Sequence, residues 1–176
     1  MSTIVAERPE TSEYAEYYRR YIDLVADGDI FETLALQLAD SLTLLSDLDE
    51  KQALFRYAPE KWSVKETIGH LMDTERVFGY RALRFARGDK TPLPGIEQDS
   101  LIKAAHFDER PWGELLREWR IVREANLALF HSFDDDAMMR VGNASGFDVS
   151  VRALPWIIAG HEIHHMKIIR ERYLTS

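Results

Sequence analysis

The sequence contains no cysteine, which excludes disulfides, thiolate metal sites and a cysteine nucleophile. Any transition-metal site must therefore use nitrogen and oxygen ligands. Glycine and proline are scarce, at 9 and 6 of 176 residues, so no collagenous or low-complexity tract is expected. Basic residues are outnumbered 22 to 30, and the formal charge of −8 argues against a general nucleic-acid or anionic-membrane surface. No apolar run approaches a membrane span, and the N-terminal ten residues, read as a loose lead-in, lack the apolar core of a signal peptide. A cytoplasmic protein with a small-molecule substrate is the default expectation. Strand-like alternation is missing too, apart from a weak stretch at Phe147-Asp148-Val149.

What is present is helical periodicity in a chain with 45% hydrophobic residues, enough for one domain over residues 1–176 with a real core. Tyr14, Tyr17, Tyr18 and Tyr21 recur at i, i+3, i+4, i+7 within a helix expected from Ser12 to about Ala26. That stripe packs against the rest of the fold or lines a pocket with its hydroxyls. Asp29 to Glu32 has capping-box spacing and opens a helix with Phe31, Leu34, Ala35, Leu38, Leu42 and Leu45 on one face. Ser46 to Asp49 is read as the cap of a short extra turn. Ser63-Val64-Lys65-Glu66 is a stronger box and starts a helix to about Arg87, closed by Gly88. Its apolar stripe of Val64, Ile68, Leu71, Phe78 and Ala82 also contains Glu75, a carboxylate that needs an arginine or histidine partner if buried.

The segment from Gly88 to Arg110 has no sustained period and is long for a connector, long enough to carry the chain back along a bundle so that its flanking helices run parallel. A helix from Pro111 to about Phe133 buries Leu115, Trp119, Val122, Leu129 and Phe133. Asp134-Asp135-Asp136 reads as a solvated turn, and 143–146 as another turn. The last helix begins between Ser150 and Pro155, with Pro155 bending it if Ser150 is the cap, and runs to Tyr173. The expected fold is all-α: four long helices with an N-terminal accessory helix.

The last helix carries Gly160-His161-Glu162-Ile163-His164-His165. His161 and His165, four residues apart, leave the same face, in an apolar stripe with Leu154, Ile157, Ile158, Ile168 and Ile169. Buried imidazoles need partners, since an unpaired polar group costs roughly 1–3 kcal/mol. One reading gives them a metal, with His70 on a neighbouring helix as third ligand and an open position for water or substrate. The other makes them core histidines bonded to carbonyls or acids. His164 could compete as a ligand, although its offset favours a supporting role. His106 reads as a solvated loop residue, and His131 complements the C-terminal dipole of its helix. The run also satisfies H-E-x-x-H, with Glu162 as base, but Ile168 and Glu171 stand where the extended zincin motif needs glycine and histidine. A solvent-facing glutamate is the simpler reading of Glu162.

Lys61 to Glu66, Gly69-His70-Leu71, Asp73-Thr74-Glu75-Arg76 and Gly160 to His165 together resemble the DinB-like superfamily. The resemblance covers nearly the whole chain and implies a four-helix bundle of up-down-down-up topology. It implies a divalent metal ion (zinc, nickel or iron) held by His70, His161 and His165. Many relatives are homodimers, a state the sequence neither supports nor opposes. Some are thiol S-transferases using a low-molecular-weight thiol, which makes a metal-dependent thiol transferase the leading expectation. A metal-dependent hydrolase, with Glu162 or Asp73 as base, and a non-enzymatic metal-binding stress-response protein are the rivals. Arg81 and Arg123 are basic side chains able to receive an anionic thiol.

Overall fold

The computed structural model describes residues 7–174. Met1 to Ala6, most of the expected lead-in, lie outside them. The four long helices are α2 (Ile30–Ser46), α4 (Val64–Ala86), α6 (Trp112–His131) and α8 (Ala153–Ile168). The short ones are α1 (Glu16–Ile22), α3 (Glu50–Ala53), α5 (Gln98–Ala105) and α7 (Asp135–Met138). Local chemistry explains the starts. Asp29 accepts from the amides of Phe31 and Glu32. Ser63 and Glu66 form a reciprocal capping box at α4, as do Asp49 and Gln52 at α3.

Contacts along the helices fix the topology. Leu45, Leu34 and Phe31 of α2 meet Trp112, Arg123 and Phe130 of α6, so these two run antiparallel. Lys65, Glu75 and Gly79 of α4 meet Arg110, Arg123 and Asn126, just before and along α6, in ascending order, so α4 and α6 are parallel. Trp62, just before α4, meets Tyr173 while His70 meets His161, so α4 and α8 are antiparallel. The order is up-down-down-up, and the long connection after Gly88 makes the parallel pair possible.

Three expectations need correction. The accessory helix is shorter than its tyrosine period: Thr11–Glu13 is a 3-10 turn, Tyr14 is extended, and α1 starts only at Glu16. The connector is not all loop, because α5 forms there with Ile102 as its one buried residue, too little to leave a periodic signature. The aspartate run caps and opens α7, Asp134 accepting from the amide of Ala137 at 2.8 Å.

The weak strand signal is half of a hairpin, β1 (Val141–Ala144) paired antiparallel with β2 (Phe147–Ser150). Its two-residue turn places Ser145 and Gly146 at φ 57° and 83°, the two positive values a type I′ turn demands. Leu93 bridges to Ala144 and ties the connector to this hairpin. Ser150 Oγ accepts from the amide of Ala153, but the helix proper starts at Ala153. Pro155 therefore falls in the first turn, where its missing N–H removes no bond. The helix continues as a π-turn over Ile169–Tyr173.

The core is two apolar clusters. One surrounds Ile22, Leu34, Phe78, Phe130 and Ile158; the other surrounds Leu45, Ile68, Met72, Trp119 and Met166. Between them, at mid-bundle, lie Glu75, Arg123, Glu162 and His161, all buried.

Candidate metal centre

α4 and α8 each present one face to this middle layer. His70 lies in the second turn of α4, where capping at Ser63 fixes the start of the helix. His161 and His165 lie one turn apart on α8, and both face α4. The Nε2 atom of His161 is 3.1 Å from that of His70 and 3.1 Å from that of His165. One ligand atom from each of the three lies within 4.8 Å of the others. His70 and His161 are buried and His165 is half-buried.

Burial is the main reason these rings stay neutral. It lowers His70 to about 4, against a small opposing pull from Asp99. It lowers His165 to about 3, helped by His70, His164 and Arg20. His161 falls well below the usual imidazole value through burial and then through its two neighbours. Three uncharged rings therefore turn nitrogens toward one point, and hydrogen bonding among themselves cannot satisfy them all. That donor set suits zinc, nickel or iron. Thr74 Oγ1 lies 3.5 Å from Nδ1 of His70, the kind of contact that orients a ligand ring. Trp62 tilts over His70 with ring centroids 4.8 Å apart.

A cavity of about 420 Å³ opens in front of the three rings. Tyr17, Tyr18 and Tyr21 of α1 line one side, so three of the four stripe tyrosines form a pocket wall, while Tyr14 packs in the core. Tyr21 stands edge-on to His161 at 5.3 Å, and burial followed by Tyr17 pushes its phenol up to about 12. This wall depends on Gly160. A Cβ at Gly160 would lie 2.0 Å from the carbonyl oxygen of Tyr21, so α1 and α8 cross backbone to backbone. The opposite rim is Gly95 and Ile96 of the connector with Ser145 of the hairpin turn. These rim residues carry no periodic signal, and only the fold brings them here.

The other candidates lie elsewhere. Glu162 is not solvent-facing: it is buried, with Ser41 donating to Oε1 at 2.7 Å and Arg123 to Oε2 at 2.8 Å. Burial raises its pKa against the pull of Arg123 and Ser41. Asp73 pairs with Arg76 at 3.2 Å, and burial raises it as well. Neither carboxylate lines the cavity. Arg123 does not either. It is held by Glu75 at 2.6 Å and by Glu162, which supplies the partner that Glu75 requires. Although burial opposes its charge, the two carboxylates hold Arg123 protonated more firmly than a free arginine. His164 lines the cavity outside the trio, edge-on to Tyr21 at 5.4 Å, with its pKa lowered by burial. His106 is exposed beside Glu109, and His131 packs on Phe31 at the end of α6.

A family model of the DinB superfamily matches residues 33–169, which include α4, α8 and all three histidines. The chain belongs to the DinB superfamily. Among solved structures it is similar to YfiT from Bacillus subtilis, described as a probable metal-dependent hydrolase with an unusual four-helix bundle topology. The TM-score is 0.69 at 16% identity, over 93% of this chain and 89% of that one. It is also similar to a mycothiol-dependent maleylpyruvate isomerase, with a TM-score of 0.67 at 14% identity, over 82% of this chain and 61% of that one. At these identities the likeness establishes a shared fold. No curated protein sequence matches. Among the described residues no helix is long and apolar enough to cross a membrane.

Proposed function

We propose that His70, His161 and His165 hold a divalent metal ion and that the cavity before them is the active site of a metal-dependent enzyme, most simply a thiol S-transferase. The observation that carries this is the convergence of three neutral, largely buried Nε2 atoms at the floor of an accessible cavity. Structural sites are closed by four protein ligands, whereas three imidazoles facing a cavity leave room for a reactant. Bound there, such an ion supplies Lewis acidity and lowers the pKa of a coordinated thiol or water. Thr74 orients His70, while Trp62 and Tyr21 shield the rings from bulk water.

The cavity lining favours the thiol. Among the described residues it contains no carboxylate to act as a general base. A thiol, with an ordinary pKa near 8.5, has far less need of one than water does. A hydrolase is the second reading, supported by His164, a neutral imidazole on the cavity wall and so able to take a proton from water.

The test starts from purified protein. We expect about one equivalent of zinc, nickel or iron per chain and loss of that metal in His161→Ala. The visible spectrum of the cobalt-substituted protein should shift on adding 2-mercaptoethanol. No bound metal in the wild type overturns the metal site. A bound metal whose spectrum ignores thiols overturns the transferase and leaves the hydrolase.

A further inference from the structure

The cavity contains a second polar feature that the histidines do not explain. Arg81 lies on α4 eleven residues beyond His70, three turns plus about 20°, and so on the same helix face about 16 Å along the axis. It is 4% exposed. Its Nη2 donates to two neutral acceptors, the carbonyl of Pro94 at 3.2 Å and Ser145 Oγ at 3.0 Å. Its Nε is buried with no hydrogen-bond partner. Among the described residues no carboxylate pairs with it, and none lines the cavity. The contrast with Arg123, which is equally buried but clamped between two glutamates, is sharp.

An unpaired guanidinium in such a place is costly. The neutral contacts to the connector and the hairpin turn position it without offsetting its charge. A second arginine, Arg20, stands at the mouth with its guanidinium 4.1 Å from the ring centre of Tyr17. In a chain with eight more acidic than basic residues, the described residues that line this cavity include two arginines, four histidines and no acid.

We propose that Arg81 is a carboxylate-binding residue of this cavity, and that the small molecule it admits is an organic acid whose carboxylate docks on Arg81 while its other end reaches the histidines. A planar carboxylate matches the edge of a guanidinium, and one buried arginine balances one negative charge. Phe78, whose ring lies 5.5 Å from the guanidinium carbon, and Ile157 provide apolar surface for the body of the acid between the two ends. The identity of the reaction at the histidine end rests on the function proposed above; the docking itself does not.

The experiment uses full-length protein, stripped with EDTA so that no ion competes for the probe. Calorimetric titrations with butyrate, butyramide and inorganic phosphate are run at constant ionic strength. Butyrate should bind at least tenfold more tightly than its uncharged isostere and more tightly than phosphate. Arg81→Met should abolish the preference for butyrate, and Arg81→Lys, which keeps the charge but loses the fork, should weaken it about tenfold. Equal binding of butyrate and butyramide to the wild type overturns the proposal, as does tighter binding of phosphate or an unchanged preference in Arg81→Met. If Arg81→Met does not fold, the wild-type contrast and Arg81→Lys still decide. Metal content of the as-purified wild type is measured in parallel. Its absence would sink the metal site and leave the carboxylate result standing.

Discussion

His161 and Glu162 are adjacent in the chain, yet they belong to two opposite kinds of polar interior. Glu162 faces a closed layer in which Ser41, Arg123 and Glu75 satisfy one another away from the cavity. His161 faces an open cluster in which nitrogens point at nitrogens and the space beyond is a cavity. The closed layer is complete as it stands. The open cluster is three neutral rings whose nitrogens converge with no acid or carbonyl among the described residues between them. Satisfied buried networks specify structure, whereas unsatisfied ones mark a place for a ligand. One helix therefore turns successive residues to a satisfied structural network and to the proposed metal site.

Breaking the closed layer should have the largest effect. Arg123→Met leaves two buried carboxylates without a cation, and we expect a loss of about 3–5 kcal/mol in urea unfolding. A loss below about 1 kcal/mol would mean that the layer is more hydrated than its geometry indicates. A smaller effect should follow at the wall of the open side. In Gly160→Ala the new methyl group meets the Tyr21 carbonyl, so α1 must move. We expect about 1–3 kcal/mol of destabilisation and faster amide exchange across residues 16–22. The smallest change in fold stability should come from the open cluster itself. His165→Ala removes a half-buried ring with no carbonyl or acid partner among the described residues, and chelator-treated protein should change by no more than about 1 kcal/mol. If His165→Ala matches Arg123→Met in unfolding, the contrast between the two regions is wrong.

The sequence disclosed most of the frame and part of the site. Apolar stripes marked the four long helices and side-chain caps marked the starts of α2 and α4, because both signals are local. Glu75 in an apolar stripe announced the need for a cation, and Arg123 meets it. Glu162 misled because a glutamate in a helix is ordinarily solvated, and its partners Ser41 and Arg123 come from two other helices. Arg81 was visible as a basic side chain able to receive an anion, but its lack of an acid is a property of the assembled cavity. The rim from Gly95, Ile96 and Ser145 was silent for the same reason: a type I′ turn and one bridge at Leu93 place it there.

The closed layer also acts as an index mark. Apolar faces tolerate sliding, since one leucine resembles the next along a groove. A shift of α8 by one turn, about 5.4 Å, would carry Glu162 out of reach of both Ser41 and Arg123. Each mis-threaded alignment of the bundle thus costs a stranded charge, and the correct one does not. Because His161 is the next residue back along the same helix, the Ser41 hydrogen bond and the Arg123 ion pair that align α8 with α2 and α6 also set the height at which His161 and His165 meet His70.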